Sequence, residues 1–120
     1  MNSTQAFEVV DTVYEPGTAK QVHYRPLRDK TTYKVWLKLK GHALPYVKGV
    51  TYKLHPTFVN RVHFVPRTPA NPNCSLPIWT WGLFDVEAEV ETKGGEKIKL
   101  VHPLGYDRQL AEAGIHFKED

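Results

Sequence analysis

The groups in this 120-residue chain that could do chemistry are six histidines, one cysteine, 13 carboxylates and 14 aromatic rings (5 Phe, 3 Trp, 6 Tyr). His23, His42, His55, His63, His102 and His116 show no tight ligand spacing, and with one cysteine they form no zinc constellation. Cys74 stands in a Pro/Asn stretch with no adjacent His, Lys or Arg to stabilise a thiolate, so it is not read as a nucleophile. Asp85, Glu87, Glu89 and Glu91 alternate with Val86, Ala88 and Val90, the pattern of a solvated strand face and not of an acid/base pair in a cleft. Gly94-Gly95 carries the signature of a hairpin turn and not of a phosphate-cradling helix start. An enzyme, a cofactor and a metal are therefore not expected. What remains is a set of aromatics beside loop-forming residues: Phe58 near Pro56, and Trp79 and Trp81 near Gly82. A ring at a loop entrance is a candidate binding surface, whereas Val35 or Phe84, read as mid-strand, is core packing.

The elements that must position these rings are short strands. Phe7 to Tyr14 is rich in Val, Thr and aromatics and ends at Glu15-Pro16-Gly17. Gln21 to Tyr24, Tyr33 to Lys40, Val47 to Leu54 and Arg61 to Val65 follow, each bounded by Pro or Gly signals. Residues 66–77 hold four prolines with Asn71 and Asn73 and form an irregular loop. Ile78 to Thr92 reads as one long strand, bulged near Gly82; Lys93 to Glu96 turns it into Ile98 to Val101. Asp107 is placed to cap one helical turn that Gly114 ends. Such spacing predicts an all-β fold, an immunoglobulin-like antiparallel β-sandwich of about seven to eight strands, with residues 1–120 as one domain.

Composition bounds the partners. No stretch approaches the ~20 apolar residues of a membrane span, and Met1 to Ala6 lack the basic-then-apolar pattern of a signal peptide. The unpaired cysteine agrees with a reducing compartment, so the expected location is cytoplasmic and no membrane partner is expected. Asn2-Ser3-Thr4 and Asn73-Cys74-Ser75 match a glycosylation pattern by chance on this reading. The net charge of +3 conceals nine basic residues against one acid, Asp29, over residues 20–53. Lys34, Lys38 and Lys40 alternate with Val35, Leu37 and Leu39, a solvated strand face; if it shares a sheet with Asp85 to Glu91, the charges offset one another. Nucleic acid is accordingly a minor reading, resting on these lysines and Trp36.

Two segments carry a resemblance. Val50-Thr51-Tyr52-Lys53-Leu54-His55-Pro56-Thr57-Phe58 and, about twenty residues later, Trp81-Gly82-Leu83-Phe84 follow the order of motifs in the YEATS domain family. The chain resembles that family from about Tyr33 to Val101, and Pro56, Thr80 and the position of Trp36 make it most similar to the prokaryotic branch. The resemblance implies a non-enzymatic reader with an immunoglobulin-like fold that holds an acylated lysine, on a protein or peptide, or a small acyl ligand. It implies a pocket made by His55, Thr57, Phe58, Thr80, Trp81 and Gly82. Phe58 and Trp81 would be the two faces of an aromatic sandwich, and the Thr57 hydroxyl and the backbone N–H of Trp81 would serve the amide. His55 would form a wall, and Gly82 would let the backbone approach. Two other functions stay open: a small-molecule sensor of a prokaryotic signalling or defence system, and a plain protein-interaction module.

Overall fold

The structure, a computed structural model, describes residues 6–120. The expectations resting on Met1 to Gln5 (an uncleaved N-terminus and the Asn2-Ser3-Thr4 match) lie outside the described residues. Among the described residues nine strands form two sheets: β1 (Glu8–Thr12), β2 (Gln21–Pro26), β3 (Thr31–Lys40), β4 (Val47–Lys53), β5 (Val62–Pro66), β6 (Leu76–Thr80), β7 (Asp85–Thr92), β8 (Lys97–Pro103) and β9 (His116–Glu119). A 3-10 turn, Leu44–Tyr46, and one helix, α1 (Tyr106–Leu110), complete the described elements.

In the first sheet β3 is central. Its residues Trp36 and Leu37 pair with both β1 and β6, and Tyr33 pairs with both β2 and β6. β6 therefore holds one edge of β3, while β1 and β2 share the other end to end, and β9 adds to β2 in parallel. The second sheet runs β5-β4-β7-β8, all antiparallel.

The period-2 rows decide which face each sheet buries. Val35, Leu37 and Leu39 of β3 meet Val50 and Tyr52 of β4, Leu54 just beyond it, and Val86, Ala88 and Val90 of β7 in one core. The expected long strand Ile78 to Thr92 is two strands in different sheets, parted by Trp81 to Phe84. The signal read as a bulge at Gly82 is a crossing between sheets, and this raises the strand number to nine together with β9. Strand β9 is exposed throughout, so it has no apolar row to reveal it in the sequence. Asp107 is inside α1 and caps nothing; instead the Asp11 carboxylate accepts from the Gly105 N–H at 3.2 Å. Nor do the charged rows of β3 and β7 share a sheet. Glu87, Glu89 and Glu91 stand opposite Lys53, Lys99 and Lys97 instead, so the β7 carboxylates do not offset the β3 lysines.

Two polar clips tie distant segments. The buried Tyr52 hydroxyl donates to the Cys74 carbonyl at 2.8 Å, fixing the Pro/Asn loop against the core. Burial raises the Cys74 thiol above its usual range, in keeping with a packed and not an activated side chain. His23 Nδ1 meets Asp120 and Nε2 meets Glu15, both at 2.8 Å, which joins β9 to β2. The hydrogen bond to Asp120, then that to Glu15, raises the pKa of His23, and the same contact lowers that of Asp120.

Removing the Tyr52 hydroxyl leaves a buried carbonyl without its donor. Tyr52→Phe is expected to cost about 1–3 kcal/mol, read as a fall of several degrees in Tm; an unchanged Tm would contradict the clip. The His23 cluster sets a pH dependence with a definite sign. A histidine of raised pKa confers stability that is complete below its unfolded value of about 6.5 and is lost as pH rises through the folded one. The lowered Asp120 confers stability that is present above about pH 3.9 and is lost as pH falls. Denaturant unfolding should therefore show the wild type weakening on the alkaline side, a trend that His23→Gln flattens. Parallel curves for the two proteins would refute it.

Candidate functional site

Because Lys53 pairs with Glu87, and Tyr33 with Thr80, the β2–β3 hairpin, the β4–β5 loop and the β6–β7 crossing meet at one end of the sandwich. The β4–β5 loop is closed at its base by the Leu54 N–H to Arg61 carbonyl bond at 2.8 Å, and Arg61 Nε donates back to the Leu54 carbonyl at 3.0 Å. Within it the Phe58 N–H donates to the His55 carbonyl at 3.0 Å. His55 Nδ1 accepts from the Thr57 N–H at 3.2 Å and lies 2.9 Å from Thr57 Oγ1. An Nδ1 that accepts from a backbone N–H carries no proton, so the hydroxyl donates to it and the ring proton sits on Nε2. Pro56 stiffens this turn without costing a donor that the turn uses.

The crossing is pinned by Thr80, whose buried hydroxyl accepts from the Gly82 N–H at 3.3 Å and lies 3.0 Å from the Gly82 carbonyl. Tyr106 at the start of α1 also donates to that carbonyl, at 3.2 Å. Burial pushes the Tyr106 pKa up to about 12, so it stays a donor. With its neighbours tied down, Trp81 is turned outward and is 58% exposed.

Between the two segments lies an open cavity of about 250 Å³, lined by His55, Thr57 and Phe58 from one side and by Trp79 through Phe84 from the other. All six residues expected from the sequence are among its walls. Phe84, expected in the core, is only half-buried: its ring lies 5.4 Å from Phe58 and 5.8 Å from His55 and forms the floor on which both rest. Trp79, read from the sequence as a ring beside a loop but not among the six, is also a wall residue, and the exposed Leu83 was missed. The signal for Leu83 was there, since a strand broken at Gly82 puts it in a loop, but reading 78–92 as continuous concealed it. Among the described residues no three His, Cys, Asp or Glu side chains stand close enough to hold a metal ion.

A family model described as the prokaryotic YEATS domain matches residues 31–105. The chain belongs to the prokaryotic YEATS domain family. The matched span takes in both loops of the cavity and the central strands of both sheets. Among curated proteins, this YEATS domain is 32% identical over 99 residues to transcription initiation factor TFIID subunit 14 of Schizosaccharomyces pombe. The match takes in 79% of this chain but only 36% of that protein, so it spans about a third of its relative. Among solved structures it is similar to one described as the Yaf9 YEATS domain recognizing an H3K122suc peptide, with TM-score 0.58 and 19% identity over 91% of this chain and 80% of that one. A second, the Yaf9 YEATS domain bound to H3K27ac, gives TM-score 0.51 and 18% identity over 87% and 78% of the two chains. At that identity the two structures establish the shared fold. No helix among the described residues is long and apolar enough to cross a membrane.

The pinning of the crossing is testable. Thr80→Val keeps the shape of the side chain and removes both hydroxyl contacts. It should cost about 1–2 kcal/mol and speed amide exchange at Gly82 and Leu83 well before the core strands exchange. Unchanged exchange at those two amides would show that Tyr106 alone holds the turn.

Proposed function

We propose that this YEATS domain is a non-enzymatic reader that takes an acylated lysine into the cavity between the β4–β5 loop and the β6–β7 crossing. The observation that carries the reading is the convergence of Phe58, Trp81 and Thr57 on one open cavity in a chain of this family. The neighbouring fold is also one on which H3K122suc and H3K27ac peptides are recognised.

The chemistry follows from the walls. An acylated lysine is uncharged, planar at its amide and extended by an apolar chain. Aromatic faces such as Phe58 and Trp81 stack on it and exclude water. Its amide needs a donor and an acceptor once desolvated. Thr57 Oγ1, which gives its proton to His55, keeps lone pairs for the amide N–H, and the Trp81 N–H serves the acyl carbonyl. Gly82 leaves open space where a Cβ would project, so nothing narrows this side of the slot. An unmodified lysine would have to desolvate its ammonium against apolar walls and is disfavoured. His55 and Thr80 act at one remove, the first bracing Thr57 and the second the turn that presents Trp81.

Titration with acetyl-lysine and crotonyl-lysine peptides, followed by calorimetry and amide chemical shifts, is expected to perturb the β4–β5 loop and Trp81. The unmodified peptide should not do so. Trp81→Ala should weaken binding about five- to 150-fold, since a stacked aromatic contributes on the order of 1–3 kcal/mol, while leaving Tm almost unchanged because the ring is exposed. Binding that survives Trp81→Ala intact would sink the reading. Free acyl-lysine binding as tightly as the peptides would instead make the protein a small-molecule sensor.

A further inference from the structure

Each of the three tryptophans carries a cation of this chain against its ring. Lys30 Nζ lies 3.8 Å from the ring centroid of Trp81, the Arg25 guanidinium 4.1 Å from that of Trp79, and Lys34 Nζ 5.4 Å from that of Trp36. Lys20 beside Tyr14, at 5.9 Å, makes a fourth such contact. Significant cation–π contacts occur roughly once per 70–80 residues, so a chain of this length would hold one or two. The excess is also directional. Lys34 stands opposite Trp79 across β3 and β6, and Arg25 stands opposite Thr32 across β2 and β3, which puts both on the outer face of the first sheet. Lys38 continues the same row of β3. Trp79 and Trp81 line the cavity, while Arg25, Lys30, Lys34 and Lys38 do not. The charges thus run from the cavity mouth outward along the sheet.

Few carboxylates answer them. Glu15 and Asp120 are engaged by His23, and Glu8 is 3.6 Å from Lys40. Asp29 sits beside Lys30 in the β2–β3 hairpin, and the Asp120 carboxyl feels the charge of Arg25. Among the described residues no carboxylate lies within ion-pair distance of Arg25, Lys30, Lys34 or Lys38. Residues 1–5 contain no carboxylate side chain either. The type of anion is decided by the rings. Single-stranded nucleic acid binds such faces by stacking bases on free aromatic surfaces. Here Trp36 is buried, and Arg25 and Lys30 each cover one face of Trp79 and Trp81, so no row of free rings runs along the charged face. What the face offers is an array of charge joined to a pocket for a neutral side chain.

We propose that the segment recognised by this domain is acidic, with Asp or Glu residues flanking the acylated lysine and lying along Arg25, Lys30, Lys34 and Lys38. The inference rests on the reader function proposed above and adds the sequence context of the ligand. Its test is a set of acetyl-lysine peptides identical except for two flanking residues on each side, all acidic, all neutral or all basic. At low ionic strength the acidic peptide should bind about five- to tenfold more tightly than the basic one. That gap should narrow with added salt, because these charges are exposed. Lys34→Glu combined with Lys38→Glu should invert the order while leaving the neutral peptide within twofold, since neither lysine lines the cavity. Equal binding of acidic and basic peptides overturns the proposal and leaves the pocket reading standing. A single-stranded oligonucleotide that displaces the acidic peptide overturns it in favour of nucleic acid. If no acylated peptide binds in any context, the pocket reading fails and this inference with it.

Discussion

The passage of the chain from one sheet to the other between Thr80 and Asp85 is the constraint on which the site depends. Four residues must cover the thickness of the sandwich, about 10 Å in face-to-face sheets. The five Cα steps from Thr80 to Asp85 can reach about 17 Å when extended, so the stretch crosses with slack enough for a turn at Gly82. Along this crossing Trp81 and Leu83 stay outside the core, and two large apolar side chains are left exposed. Thr80 holds the first half of the turn and Phe84, resting on the core, anchors the second.

The remainder of the cavity is arranged around that passage. β4 and β7 are neighbours, so the loop leaving β4 has to emerge beside the residues entering β7. Phe58 and His55 reach Phe84 because of this adjacency. Beside the crossing, where His102 stands opposite Val86, the sheets are clipped by Asp11 and His102 at 2.6 Å, with the Asp11 side chain almost wholly buried. Removing either partner would leave the other without its hydrogen bond. Among the described residues none that lines the cavity joins an ion pair, so its loops are held by short hydrogen-bonded turns.

Much of this was legible in the sequence. Alternation in Tyr33 to Lys40 and Asp85 to Glu91 named the strands and their buried faces, because a strand shows its burial at every second residue. The loop chemistry of Pro56 and Gly82, with an aromatic beside each, marked a candidate surface, and the family resemblance supplied the six residues that prove to line one cavity. The β6–β7 crossing was misread for a physical reason: Thr80 and Val86 both face the core, so the period-2 pattern runs unbroken through a change of sheet. β9 escaped because it pairs by backbone and by His23 and buries no row of its own. The role of Phe84 escaped with the crossing, since a ring that floors a cavity and a ring that fills a core have the same sequence signature.

The amino-acid sequence by itself determined the class of fold and the two apolar rows that pack against each other, and its resemblance to the YEATS family singled out six residues as a candidate site. The fold class and the rows follow from local periodicity and residue type, which any stretch of chain carries within itself; the six follow from the order of two motifs. Only the tertiary structure decided that the six share one cavity with Trp79, Leu83 and Phe84. The same holds for Lys34 and Lys38 of β3, which lie in a different sheet from the β7 carboxylates and have no carboxylate within ion-pair distance among the described residues. Which sheet a strand joins depends on pairings between residues tens of positions apart, and no local pattern encodes them.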